Sequence, residues 1–162
     1  MPIVLQIAIL LLSALVLTTT LAHALEFPGK KKLAKEDYLK VQRIYYPGFT
    51  TLGVGEPIAV LGLVLQAFVV RNDPTTFRLT LAALLAMLAV VGIYWLVTHP
   101  INKYWVEASE LGGAGKSFFG ETKSISDSDW TALRDRWEYS HITRAAFAML
   151  AFLLVSIGAS IQ

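Results

Sequence analysis

The sequence predicts an all-α integral membrane protein: one domain over residues 1–162, built as an antiparallel bundle of four transmembrane helices with short interfacial helices in its two long connections. Three observations predict it. Hydrophobic residues make up 55% of the 162 and charged ones only 16%, whereas water-soluble domains carry about 25% charged residues and cannot hide this much apolar surface at this length. Four runs each approach the roughly 20 apolar residues that cross about 30 Å of hydrocarbon. The basic residues gather in the two long connections and are absent from both termini.

The first span runs over about 3–25, IVLQIAILLLSALVLTTTLAHAL, without a charge. Ala22-His23-Ala24 has the small-x-small form of a signal-peptide cleavage site. However, no basic segment precedes the run, and it exceeds the usual 7–15 residues of such a signal, so a retained span is expected. The second span covers about 50–70 and the third about 77–98, joined by the polar turn Arg71-Asn72-Asp73-Pro74 that suits an antiparallel pair. The fourth covers about 141–161.

Two connections remain. In 26–49, Leu33, Tyr38, Val41, Ile44 and Tyr45 recur at helical spacing, predicting an interfacial helix with tyrosines at headgroup level and snorkelling lysines. In 103–139, a Gly/Ser-rich centre from Gly112 to Ser128 predicts a loop. A further helix is expected to start near Asp127 or Asp129, where an aspartate can cap WTALRDRWEYS. The basic residues of both connections place them in the cytoplasm, with both termini outside, in the inner cell membrane. On this reading Lys30-Lys31-Lys32 is a topology signal that also contacts anionic lipid.

Several functions are excluded or set aside. There are no cysteines, hence no disulfides and no thiolate metal sites. A formal charge of +2 does not suggest nucleic acid. GGAGKS at 112–117 resembles a phosphate loop, but Glu110 stands where the first glycine belongs and no strand precedes it.

The polar residues of the spans form a pattern of their own. His23 and Glu26 close the first helix, Glu56 lies near the start of the second, His99 and Asn102 end the third, and His141 and Arg144 open the fourth. All of these positions fall at the cytoplasmic ends. Glu56 and Arg144 lie ~9 and ~5 Å inside the expected boundaries. His23 with Glu26, and Trp137 with His141 and Arg144, are spaced to share a helix face, as are Trp95 and His99 ahead of Pro100. Pro57 disfavours helix at Glu56 and predicts a kink there. Ionisable groups in a membrane are costly and pair inside a bundle or a wet cavity, which predicts a polar pocket between the helices. Plainer readings exist for the parts: His23 and His99 as interfacial residues, Glu56 with Arg144 as a structural ion pair, and the four tryptophans, Trp105 and Trp130 above all, as an aromatic belt.

Four segments together, HALEFPGK, IYYPGFT with GEPIAVL, THPINKYW and RWEYSHITRAAF, resemble a family of small four-span membrane proteins that includes the anthrone oxygenases of polyketide pathways. The most specific pieces are His99-Pro100-x-Asn102 and Trp137-x-x-x-His141-x-x-Arg144; the opening His23-x-x-Glu26 departs from the anthrone oxygenases, so the substrate does not carry over. The resemblance implies an oxygenase-type reaction on a lipophilic phenolic, anthrone- or quinol-like molecule, without a bound redox cofactor. On that basis His141 or His99 is the expected base, helped by Glu56 or Glu26. Arg144 and Asn102 would stabilise the anion, Trp95 and Trp137 would stack on rings, and His23 and Glu26 would join in binding substrate. Two alternatives come from other classes. One is a metal ion or haem at His23, Glu26, Glu56, His99 and His141. The other is an accessory subunit of a larger membrane complex or a homo-oligomer, its helices meeting through Gly53-Val54-Gly55 and Ala82-Ala83 with Ala86.

Overall fold

The computed structural model describes residues 2–46, 48–105, 126 and 128–161. Every regular element among these residues is helical: α1 (Ile3–Lys30), α2 (Lys35–Ile44), α3 (Gly48–Leu52), α4 (Gly55–Val69), α5 (Pro74–Ile93), a π-helical turn (Tyr94–Thr98), α6 (His99–Asn102) and α7 (Trp130–Ser160). Four of the resulting segments, 3–30, 48–69, 74–102 and 130–160, are long and apolar enough to cross a membrane.

Each span differs from its predicted bounds for a local reason. α1 continues through Pro28 to Lys30, because a proline two residues from a helix end removes only one hydrogen bond that matters. The kink expected at Glu56 is a break at Gly53–Val54, which leaves Pro57 in the first turn of α4, where its missing N–H costs nothing. The third span runs on through the π turn to Asn102. Pro100 cannot donate to Leu96, and the ladder lengthens just ahead of it, with the His99 N–H reaching the Tyr94 carbonyl. α7 starts at Trp130 and runs unbroken into the fourth span, so 130–140 is no separate interfacial helix. Hydropathy falls there, but helical propensity does not. Asp129 occupies the N-cap without capping; its carboxylate accepts the hydroxyls of Ser126 and Ser128 instead. Asp127 and nearly all of the 112–128 segment lie outside the described residues.

The spans form a ring in which α1 lies against α4 and α7, and α5 lies against the same two. Gln6 Nε2 donates to the Ala159 carbonyl at 2.9 Å, so the start of α1 and the end of α7 share one end of the bundle. The α4–α5 turn is there too, with Thr76 and Leu79 beside Gly158. Asp73 caps α5 as a turn of this sequence requires, accepting from the N–H groups of Thr75 and Thr76 at 3.1 and 3.3 Å. The core of this half is made of Ile9, Val16, Leu63, Met87, Val90 and small residues. Ala83 and Ala86 of α5 and Ala148 and Ala151 of α7 are all buried, the composition that lets membrane helices approach closely. Ala82, predicted with them, is exposed. Leu11, Leu61, Leu65, Phe68, Leu85 and Leu96 point outward, as a lipid-facing surface does.

α2 closes the opposite end. Its buried face is Tyr38 with Gln42, four apart, while Ile44, of the same predicted helical repeat, is 76% exposed. Tyr38 anchors the helix by donating its hydroxyl to Glu138 Oε1 at 2.9 Å, and burial together with the Glu138 carboxylate pushes its pKa upward.

Candidate functional site

The site is built on α7. Arg134, Trp137, Glu138, His141, Arg144, Ala145 and Ala148 recur at spacings of one, three or four and are all buried, so one face turns inward along its length. Toward the end shared with the start of α1 that face is small and apolar. Toward the α2 end it carries charge and aromatic rings.

Arg144 is the centre of the cluster. Its Nη2 forms an ion pair with Glu56 of α4, its Nη1 donates to His141 Nδ1 at 3.2 Å, and its guanidinium lies 5.0 Å from the centre of the Tyr94 ring. Glu56 sits in the first turn of α4, where the helix dipole favours a carboxylate. A guanidinium only donates, so His141 Nδ1 offers its lone pair and the ring carries its proton on Nε2. His23 of α1 stacks on His141 with ring centres 4.2 Å apart and is flanked by Tyr45, Phe49 and Trp137. Trp137 backs His141 at 4.2 Å and donates its Nε1–H to Asn102 Oδ1 at 2.7 Å. Thr98 meets Ser140 at 2.8 Å, and Ser140 donates to the Trp137 carbonyl at 2.6 Å, tying the π turn to α7.

These residues border a cavity of about 730 Å³, inside the range of about 300–1,000 Å³ typical of small-molecule sites. His23, Glu56, Trp95, Asn102, His141 and Arg144 line it. Polar residues from all four spans therefore converge at one end of the bundle. Three predicted residues do not line it. His99 packs beside Trp95 and Tyr94, at 4.8 and 5.8 Å between ring centres. Glu26 is 43% exposed, pairs with Lys30 at 3.2 Å and accepts from the Tyr45 hydroxyl. Trp137 lies behind His141 rather than on the cavity wall. The plain reading of Trp105 as a belt residue is corrected as well, because it is 4% exposed, packs on Tyr38 and faces the cavity.

Sequence reasoning misses Lys30, Glu138, Gln42, Tyr45 and Tyr94. Lys30, read as a contact to anionic lipid, is buried instead: it is 4% exposed and bridges Glu26 and Glu138, the latter at 3.4 Å. Its spacing of four from Glu26 is the signal that marks it. Burial and the hydrogen bond to Glu26 push the Tyr45 pKa upward. The five-residue metal set is dispersed by these pairings: Glu56 is held by Arg144, Glu26 by Lys30, and His99 is off the cavity. Among the described residues no three His, Cys, Asp or Glu side chains gather in ligating geometry.

An all-helical four-span bundle with a buried His–Arg–Glu cluster on a cavity defines a class of small helical membrane proteins with an internal site. Residues 42–154, well over half of the chain, match the family model described as anthrone oxygenase, and the chain belongs to that family. The matched stretch holds Glu56, Tyr94, His141 and Arg144, while His23 precedes it. Comparison with curated proteins and with solved structures finds no match.

Proposed function

We propose that this protein is a membrane-embedded oxygenase for a lipophilic phenolic, anthrone- or quinol-like molecule. The observation that carries the reading is the position of Arg144: a buried cation on an apolar cavity, fixed by Glu56 and His141, beside the paired rings of His23 and His141. Family membership supports the oxygenase class.

His23, rather than His141 or His99, is the base in this reading. The His141 lone pair is taken by Arg144, and His99 is off the cavity, whereas His23 Nδ1 is buried without a partner among the described residues. His23 takes a proton from the ring carbon that conjugates with the carbonyl. The resulting enolate oxygen is held by the Nε–H of Arg144 and the Nε2–H of His141. The anion passes an electron to O2, and the two fragments join in a C–O bond. The peroxide oxygen takes up a proton. Loss of the second ring proton and cleavage of the O–O bond then leave a ketone and water. In sum a CH2 group and O2 become C=O and H2O, with dioxygen as the only oxidant. The cavity favours this reading over an accessory subunit, for which a filled interior is expected. The dense basic residues around α2 support a cytoplasmic orientation of the cavity end, with both termini outside.

The test uses purified protein in lipid nanodiscs with anthrone. Oxygen uptake should match anthraquinone formation mole for mole and exceed the spontaneous rate. His23→Gln and Arg144→Lys should each lower kcat by about a hundredfold or more, and His23→Gln should fall further than His99→Gln. No acceleration by the unmodified protein overturns the proposal.

A further inference from the structure

Most residues that border the cavity are buried or half-buried. The exposed ones are Thr51, Val54, Pro57 and Trp95. The first three belong to α3, the break after it and the first turn of α4, and Trp95 belongs to the π turn. Val54 is 59% exposed and Trp95 53%. At the α2 end the bordering residues are closed in: Gln42 and Trp105 are buried, and Tyr45, Tyr46 and Asn102 are half-buried. The cavity thus opens sideways, between the second and third spans, rather than along the bundle axis.

Two contacts bring the sides of this opening to one place. Arg144 pairs with Glu56, which lies between Val54 and Pro57 in the chain. Its guanidinium stands 5.0 Å from the ring centre of Tyr94, the neighbour of Trp95. The two rims thus meet at buried Arg144, one through α4 and the other through the π turn. Helix packing leaves the gap between them. α4 lies against α5, but the π turn that continues α5 packs against α7, and among the described residues it has no comparable packing against α3 or α4. Both rims are also places where the spans leave α-helical form, at Gly53–Val54 and at Tyr94–Thr98; at membrane depth such backbone is kept where it lines a cavity.

Outside the opening the surface is apolar. Leu52, Ile58 and Leu61 beside one rim and Leu96 beside the other are exposed, and the four exposed lining residues carry no charge. A strongly hydrated ligand would shed its water against these side chains without replacement, whereas a ligand dissolved in hydrocarbon sheds none. We infer that this gap is a lateral portal, through which a lipophilic carbonyl- or phenol-bearing ring passes from the bilayer to Arg144 without passing the α2 cap. The inference rests on the lipophilic ligand proposed above but not on its oxidation.

The chain has no cysteine, so one introduced thiol can carry a bulky label at a chosen place. N-phenylmaleimide is attached in detergent to Val54→Cys at the rim, to Ile44→Cys on the outer face of α2, and to Leu65→Cys on the lipid-facing side of α4; all three native side chains are exposed. After reconstitution in nanodiscs, capture of tritiated 9,10-anthraquinone by labelled and unlabelled protein is timed, and uptake by empty nanodiscs is subtracted. The label at position 54 should slow capture by about tenfold or more, and the labels at 44 and 65 should change it by less than about twofold. Each unlabelled variant is its own folded reference, and Pro57→Cys repeats the rim test should Val54→Cys fail to fold. Equal rates at all three positions, as for a groove plugged by an acyl chain, or slowing by the label at position 44, would overturn the portal and leave the oxygenase reading standing. Quinone captured through the rim without anthrone turnover would remove the oxygenase reading and keep the portal. A protein that captures no quinone at all would overturn both.

Discussion

The two halves of this bundle use the same four helices for opposite ends. In the half that holds both termini, Ala83, Ala86, Ala148 and Ala151 let α5 and α7 close on each other, and Leu63, Met87 and Val90 fill what remains. In the half capped by α2, the same faces carry His23, Glu56, Tyr94, His141 and Arg144 around an open cavity. Lipid tails are as apolar as leucine, so helices in a bilayer associate through packing and polar contacts rather than through hydrophobic burial. The contrast teaches that the first half holds the helices at a fixed spacing, and the second half uses that spacing to keep charged groups apart from lipid and unfilled space between them.

The largest effect should come from separating the two roles at Arg144. Arg144→Met leaves Glu56 as an unpaired buried charge, which costs about 3–5 kcal/mol and should appear as a large fall in melting temperature in detergent. Adding Glu56→Gln should restore most of that stability without restoring turnover. If the double variant turned anthrone over, the charge pair would be structural only.

A cut in the packed half should do the reverse. Leu63→Ala removes a fully buried side chain and should destabilise by about 2 kcal/mol, at the low end for core truncations because lipid supplies no transfer penalty. Anthraquinone affinity at the far end should stay within about threefold, since distant sites behave nearly independently. A parallel loss of affinity would show that the halves are coupled.

The smallest effect lies at Asp73, on the turn beside the termini. Its hydrogen bonds from the Thr76 hydroxyl and the Thr75 and Thr76 amides hold its pKa below the ordinary 3.8. The folded value is depressed, so the stabilisation is present above pH 3.8 and is lost as pH falls through the lower folded value. Asp73→Asn should therefore flatten a small decline in melting temperature on acidification below about pH 4, and leave the curve near neutrality almost unchanged.

Much of this arrangement is legible in the sequence because membrane helices obey few rules. The four spans come from hydropathy, the Asp73-Pro74 turn from capping chemistry, and the Trp137–His141–Arg144 face from spacing. The features that escaped did so for physical reasons. A lysine within Lys30-Lys31-Lys32 looks like a topology signal, and only the fold reveals Glu138 opposite it. Spacing from Trp95 puts His99 beside it, as the rings are, but does not tell which of the two lines the cavity. Which histidine keeps an unpaired ring nitrogen depends on the one that Arg144 reaches, which no spacing encodes. Gln42 hides on a helix whose other residues read as interfacial.

The most direct measurement is an experimental density map of the protein crystallised from lipid with 9,10-anthraquinone. The account predicts the ring system inside the cavity between α1, α4, α5 and α7, with one carbonyl oxygen within hydrogen-bond distance of Arg144 Nε or His141 Nε2. A quinone bound elsewhere, or a cavity closed by its own side chains, would contradict it.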